Sequence, residues 1–156
     1  MKPKKLESPA RNTAATKAWF SVVRAYNLCD ATLTARLSAL GLRVGEHEVL
    51  ANLMLQPGIT QQALARRCFV AKSGISMLIT RMETQVLLRR EADAQDGRIK
   101  RLYLSSAGEA LAAQTMAIQD EIVGTMMATL SKSELDVMTE LSERVAAQLG
   151  DLAERS

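Results

Sequence analysis

The chain has 156 residues, a formal net charge of +3 and 47% apolar residues, which suits one domain with extensions. It has no apolar run approaching the roughly 20 residues that a membrane span needs. We expect no secretory signal, because no apolar stretch follows the basic residues 1–12. Two cysteines and one histidine favour neither a disulfide framework nor a structural zinc site. A cytoplasmic protein without metal or cofactor is therefore expected.

The charges are unevenly distributed along the chain. Residues 60–104 carry nine Lys/Arg against four Asp/Glu, whereas residues 105–156 carry three against nine. A basic middle segment is what a phosphate-binding surface needs, although an ordinary solvated face would look the same. Charge alone leaves both interpretations open.

The first four predicted elements are helices. Residues 13 to about 39 contain no Gly or Pro, and their apolar residues recur at helical spacing, with Gly41 as the stop. A second helix is predicted from about Gly45 to Gln56, before the "PG" dipeptide. Thr60 is a good N-cap for a short third helix, and a fourth is predicted from about 71 to 85. The apolar stripe of the first helix consists of Trp19, Val22, Val23, Tyr26 and Leu33.

Two short strands and two further helices follow. Residues 87–92 and 99–104 are predicted to pair around the Asp96-Gly97 turn. Ser106 with Glu109, and Ser131 with Glu134, have the spacing of capping boxes that open the fifth and sixth helices.

The third and fourth helices, joined by "FVA", fit a helix-turn-helix. The second helix of this motif lies in the major groove of DNA. If the apolar residues of the fourth helix (Ile75, Leu78, Ile79 and Met82) point inward, a small and mostly polar face points outward. Such residues can hydrogen-bond to bases or phosphates, or contact a thymine methyl. The predicted DNA-binding residues of the two helices are Gln61, Lys72, Ser73, Ser76, Met77 and Thr80.

A hairpin directly after such a helix is typical of a wing. Arg98 near its tip suits the negative potential of the minor groove, and Lys100 adds a positive charge. Asp96 lies two residues before Arg98 and can orient its guanidinium. A surface ion pair of little energetic consequence is the alternative.

Residues 41–111 resemble the winged-helix core of the MarR family of bacterial transcriptional regulators. The matching stretches are "EVLANLMLQPGITQQALARR", "VAKSGISMLITRME" and "LLRREADAQDGRIKRLYLSSAGEAL". One position departs from the family pattern: Val86 stands where relatives usually have the Gly that ends the recognition helix. Because a β-branched residue disfavours the left-handed conformation, we expect a reshaped helix end.

The resemblance implies a mainly α (α+β) protein. Its expected parts are a basic tail at 1–12, a winged helix-turn-helix lobe with a two-stranded wing at 41–104, and an all-helical dimerisation region at 13–40 and 105–156. It also implies a homodimer that binds a pseudo-palindromic double-stranded operator. The apolar stripes argue separately for pairing with a second chain. Those of the last two helices are Leu111, Ile118, Ile122, Val123, Met126 and Leu130, then Leu135, Met138, Leu141, Val145, Leu149 and Leu152.

The resemblance further implies a repressor that a small, often aromatic acid releases from DNA. Trp19, His47 and Met54 are the candidate lining residues of the ligand pocket, and Arg24 is the candidate partner of a carboxylate. Core packing of Trp19 and a structural role of His47 are the alternatives.

Other functions have weaker support in the sequence. Redox sensing would use Cys29 or Cys68, and Arg66 and Arg67 near Cys68 favour a thiolate, although both cysteines also suit buried packing. A winged-helix protein-interaction module would not need Arg98. We find no motif that predicts an enzyme.

Overall fold

A computed structural model describes the backbone of residues 13–68 and 72–154, and the side chains of these residues except 72, 73 and 152–154. The predicted tail, the "FVA" connection and the side chains of Lys72, Ser73 and Leu152 thus lie outside the described residues. The described elements in chain order are α1 (Ala14–Ser38), α2 (Val44–Leu55), β1 (Ile59–Thr60), α3 (Gln61–Arg67), α4 (Lys72–Thr84), β2 (Leu88–Ala92), β3 (Lys100–Leu104), α5 (Ser106–Met127) and α6 (Lys132–Glu154).

The contacts divide the chain into two units, 1–118 and 119–156. In its described part, the first unit holds α1 to α4, the sheet and the beginning of α5. The second holds the end of α5 together with α6. None of the described helices is both long and apolar enough to cross a membrane.

Side-chain caps begin several helices, and one predicted cap is wrong. Thr60 accepts the Ala63 N–H at 3.2 Å, and Ser131 and Glu134 form the predicted capping box. At α5, however, the cap is Ser105 and not Ser106, because the Ser105 hydroxyl accepts the Gly108 N–H at 3.0 Å. The helix therefore begins at Ser106, one residue earlier than the predicted box requires.

The sheet contains a strand that the sequence did not predict. Its order is β1-β3-β2, with both pairs antiparallel. The wing strands β2 and β3 pair from Leu88 with Leu104 to Ala92 with Lys100, as predicted. The additional strand β1 pairs Ile59 with Leu102. It ties the turn after α2 to the wing.

One continuous core holds the winged lobe together. The predicted inward residues Ile75, Ile79 and Met82 of α4 are fully buried, and Leu78 packs against them. They meet the apolar face of α2, including Leu50, and the inner face of the sheet. Because these side chains are buried, the opposite face of α4 is exposed to solvent.

The end of α4 differs from the expectation. Val86 adopts the left-handed conformation, with φ of 58°, so the helix end keeps the shape that a glycine would give it. Val86 N–H donates to Glu83 O at 2.9 Å, and Leu87 N–H to Met82 O at 3.0 Å. These two bonds form a Schellman motif. The satisfied carbonyls and the fixed path into β2 hold a β-branched residue in a conformation that it disfavours.

Parts of the predicted stripes of the helical regions remain exposed to solvent in one chain, whereas Leu111 of the predicted α5 stripe packs against the core of the lobe. Several large apolar side chains of α1 and α6 are each about half exposed or more, and α5 adds two less exposed ones. They are Trp19, Phe20, Val22, Tyr26 and Leu28 of α1, Val123 and Met126 of α5, and Val137, Met138, Leu141, Val145 and Leu149 of α6.

Candidate nucleic-acid interface

The exposed face of α4 carries part of the predicted DNA-binding set. Met77 is 75% exposed, Thr80 is exposed and Ser76 is half-buried. Gln61, the first residue of α3, is half-buried. The phase predicted for α4 is therefore correct for the residues whose side chains are described.

The wing tip presents one arginine in a fixed orientation. The Arg98 guanidinium is 92% exposed and donates to both Asp96 carboxylate oxygens, with Nε–Oδ1 at 3.0 Å and Nη2–Oδ2 at 3.1 Å. The Arg98 N–H also donates to Oδ1 at 3.0 Å. These hydrogen bonds lower the pKa of Asp96 and raise that of Arg98. Lys100, also exposed, donates through Nζ to Gly97 O at 3.1 Å.

A second carboxylate braces the base of the wing loop. Asp93 accepts the backbone N–H groups of Gln95 and Asp96 through Oδ1, and the Arg101 Nε–H through Oδ2. The backbone hydrogen bond from Gln95, followed by the Arg101 contact, lowers the Asp93 pKa to about 2. Arg101 also donates to Gly58 O at 2.9 Å. The loop that carries Arg98 is thus tied to the turn before β1.

Arg90, which was not among the predicted site residues, joins the wing to α4. Its Nη2 donates to the Thr80 hydroxyl at 2.8 Å, and its Nη1 pairs with Glu83 Oε2 at 3.0 Å. Its backbone N–H donates to Glu83 Oε1 at 3.2 Å. Strand alternation was the available signal: Arg90 lies two residues after the buried Leu88 and shares its face.

A buried carboxylate contacts α4 from the side of α2. Glu46 is 1% exposed and accepts the Arg43 N–H at 2.9 Å, which caps α2. Its other oxygen, Oε1, lies 3.4 Å from Nη2 of Arg81 on α4. That oxygen is buried and has no aligned hydrogen bond, so its contact with Arg81 is a charge–charge interaction.

The predicted ligand residues do not share one cavity in the described chain. His47 is only 3% exposed within the lobe, Trp19 is 55% exposed on α1, and Arg24 is also exposed. Met54 alone lines a cleft of about 140 Å³ between the end of α2, the sheet and the start of α5. The other lining residues of this cleft are Leu53, Pro57, Arg89, Tyr103, Leu104 and Glu109.

The environment of Cys68 opposes a thiolate. Burial, followed by the Glu48 charge, raises the pKa of this thiol to about 11 against a smaller opposite effect of Arg67. The Arg67 guanidinium instead donates to Asn52 Oδ1 and Gln56 Oε1, both at 2.7 Å. The predicted stabilisation of a thiolate by Arg67 is therefore outweighed. Cys29 is partly buried on α1.

A helix pair followed by a basic hairpin on one core defines a winged helix-turn-helix lobe. The model of the MarR family matches residues 40–99. The transcriptional regulator HosA of Escherichia coli O157:H7 is 29% identical over 100 residues, which are 64% of this chain and 74% of HosA. An uncharacterised HTH-type transcriptional regulator of Bacillus cereus ATCC 14579 is 25% identical over 135 residues, which are 86% of this chain and 90% of that protein.

Solved structures agree with this match. AbsC, a MarR family transcriptional regulator from Streptomyces coelicolor, superposes with a TM-score of 0.81 at 25% identity, over 90% of this chain and 97% of AbsC. The S. aureus MepR–DNA complex superposes with a TM-score of 0.74 at 22% identity, over 88% of this chain and 99% of MepR, and shows the shared fold.

The winged lobe of this chain is thus similar to that of the MarR family of transcriptional regulators. The similar proteins named above are transcriptional regulators. The mainly α winged fold and the family resemblance predicted from the sequence are confirmed.

Proposed function

We propose that this protein binds double-stranded DNA sequence-specifically, with α4 in the major groove and the wing tip in the adjacent minor groove. The observation that carries the proposal is the exposed Arg98, which Asp96 holds in a bidentate pair at the tip of the hairpin. A guanidinium that is already oriented loses less rotamer freedom on entering a groove than one whose side chain rotates freely. Arginine is also favoured by the potential of a narrow minor groove.

The recognition surface that we propose on α4 begins with Met77, whose exposed thioether can lie against a thymine methyl. Ser76 can bond to a base or a phosphate. The side chains of Lys72 and Ser73 enter the proposal from the sequence alone. Gln61 and Lys100 complete it as contacts to the DNA backbone.

The test is selection of sites from a randomised duplex library, followed by measured affinities for the selected site. Arg98→Ala should weaken binding by roughly 1–3 kcal/mol, the range for a groove-reading arginine, with an unchanged melting temperature. Lys132→Ala is the matched control. Lys132 is 91% exposed and pairs with Asp136 at 3.1 Å. Like Arg98, it is an exposed positive charge paired with an aspartate, but it lies outside the lobe.

The outcomes separate the alternatives. If the wild type enriches no sequence, the proposal fails and a winged-helix protein-interaction module is favoured. If Arg98→Ala binds as tightly as the wild type, the wing has no part in recognition.

We further propose that the DNA-bound form is a homodimer that acts as a cytoplasmic repressor. The exposed apolar side chains of α1, α5 and α6 support pairing with a second copy. Two recognition helices related by a two-fold axis address half-sites about 34 Å apart, which corresponds to a pseudo-palindromic operator.

We also propose that a small aromatic acid releases the DNA. What supports a site near Met54 is the cleft itself, where an apolar wall meets the Arg89 guanidinium and Tyr103. Arg89 lies 5.2 Å from the Tyr103 ring centroid and pairs with Glu91 at 2.7 Å, so a ligand carboxylate would compete with Glu91 for its guanidinium. Trp19 and Arg24, exposed on α1, remain candidates for a pocket completed by a second copy, whereas buried His47 would contribute only indirectly.

A further inference from the structure

We infer that Arg90, Glu83 and Thr80 form a clamp that sets the position of the wing relative to the recognition helix. In this inference Thr80 acts by positioning and does not read a base. The inference rests on the proposed DNA binding. It states that these three side chains set the relative placement of the wing and α4 on the DNA. Arg90 and Glu83 were absent from the predicted site, and Thr80 was predicted there with a different role.

The clamp tethers β2 to α4 through both the side chain and the backbone of Arg90. The guanidinium contacts the Thr80 hydroxyl at 2.8 Å and the Glu83 carboxylate at 3.0 Å. The other Glu83 oxygen accepts the Arg90 backbone N–H at 3.2 Å. A planar guanidinium with two partners has its rotation fixed. The backbone bond holds the strand itself, so movement of β2 against α4 breaks several contacts together.

The single hydrogen of the Thr80 hydroxyl is already donated within the protein. It donates to Ser76 O at 2.9 Å and accepts from Arg90 at 2.8 Å. A hydroxyl has a single hydrogen to donate, so Thr80 cannot donate to a base or a phosphate without giving up its bond to Ser76. Thr80 is therefore better suited to positioning Arg90 than to reading a base, although it lies on the exposed side of α4.

The position of the clamp gives it a large effect at the wing tip. Arg90 lies at the middle of β2, and Arg98 follows in the loop beyond the strand. At about 3.3 Å per strand residue, β2 spans about 13 Å from Leu88 to Ala92, so a rotation of roughly 10° at its start moves the far end by about 2 Å. A displacement of that size is enough to remove a groove contact of Arg98 while α4 stays in place.

The experiment is a double-mutant cycle on the selected operator, with affinities measured for the wild type, Thr80→Val, Arg98→Ala and the double variant. The clamp predicts that Thr80→Val weakens binding by no more than Arg98→Ala does, about 5- to 150-fold. It also predicts that the double variant binds within about twofold of Arg98→Ala alone, because the two changes remove the same contact. Thr80→Ser keeps the hydroxyl and should restore affinity.

Thr84→Val is the matched control. It makes the same substitution one turn further along α4, where the hydroxyl bonds only to Thr80 O, and it should leave affinity unchanged. If Thr80→Val unfolds the lobe, Arg90→Lys takes its place in the cycle, because lysine keeps the charge without the two-partner fork.

Three outcomes overturn the clamp. These are unchanged binding by Thr80→Val, losses that add with Arg98→Ala, or a loss confined to operators with one particular base pair. The last outcome would make Thr80 a direct reader. If the wild type selects no DNA at all, the proposed function falls, and this inference falls with it.

Discussion

At the scale of single residues, Cys68 shows how burial can outweigh a favourable neighbouring charge. Its thiol lies in the core beside Asn52, and its pKa of about 11 keeps it protonated at neutral pH. The raised pKa adds stability that is present below the ordinary value of 9.0 and is lost as the pH rises through about 11. A protonated, buried thiol reacts slowly with oxidants.

We therefore expect a ligand, and not an oxidant, to release the operator. Benzoate, as the probe, should weaken operator binding by about 5- to 150-fold, the usual range of allosteric coupling. Hydrogen peroxide should leave binding unchanged. Anisotropy of labelled operator measures both, with Cys29→Ser and Cys68→Ser as parallel variants. Release by peroxide that either serine variant abolishes would favour the redox alternative, and no effect of benzoate would count against the proposed effector class.

The side-chain contacts that were predicted correctly join residues that lie near each other in the sequence. Asp96 and Arg98 are two residues apart, so their pair follows from the turn alone. The contact of Arg90 with Thr80 spans ten residues and depends on how β2 packs against α4. His47 illustrates the same limit: a helix start near polar residues does not reveal that the fold buries it.

At the scale of elements, the end of α4 carries conformational strain. Val86 is 69% exposed, so its side chain gains little from packing in return for its positive φ. The left-handed region costs an L-residue roughly 1–2 kcal/mol. The surrounding hydrogen bonds, from the Schellman motif and from Ser105 to Val86 O at 2.7 Å, hold the conformation.

Val86→Gly should raise the free energy of unfolding. The relief of roughly 1–2 kcal/mol exceeds the roughly 0.4–1 kcal/mol that glycine loses through its more flexible unfolded chain. Denaturant titration with a constant m-value measures the difference. Gln85→Gly is the control, because its backbone has no positive φ, and it should destabilise. Equal effects of the two glycines would show that Val86 is not strained.

The elements could be predicted from the sequence to within a few residues where the apolar spacing repeats over many residues. Helices α1, α5 and α6 each exceed twenty residues and were recognised from apolar spacing and caps. The two-residue strand β1 has no period of its own and exists only through its pairing with Leu102 on β3. Val86 kept a glycine-like conformation because its neighbours impose it, which local preference could not predict.

At the scale of the whole molecule, a single chain exposes many large apolar side chains to water. Leu141 and Val145 of α6 are both about half exposed in one chain. Large exposed apolar surfaces on soluble proteins mark interaction sites. We propose a second copy as the partner, because a two-fold dimer also supplies two recognition helices to one operator.

Leu141→Glu with Val145→Glu should yield a monomer that has lost tight binding to the full operator. Burying two unpaired carboxylates in an apolar interface is too costly for association. Sedimentation velocity gives the oligomeric state, and circular dichroism checks the helices. Thr139→Glu with Ala147→Glu adds the same charge to the opposite face of α6 and should remain dimeric. A folded monomer that still binds the full site tightly would contradict the proposed assembly.

Ser105 holds the two ends of the wing hairpin together. Its N–H donates to Leu87 O at 3.0 Å, while its hydroxyl bridges Val86 O and the Gly108 N–H. A Cβ on Gly108 would lie 1.9 Å from Leu87 O, so the two backbones meet where the hairpin begins and ends. Residues 88–104 therefore form a loop closed at its neck. The Arg90 clamp and the buried Leu88, Leu102 and Leu104 also hold the lower part of the hairpin to the lobe. Fraying that starts at the tip can therefore disorder the turn around Asp96 and Gly97 and stop above these contacts, which already hold the ends of the turn together. Local opening of the wing tip can thus be a separate equilibrium from unfolding of the helices on either side.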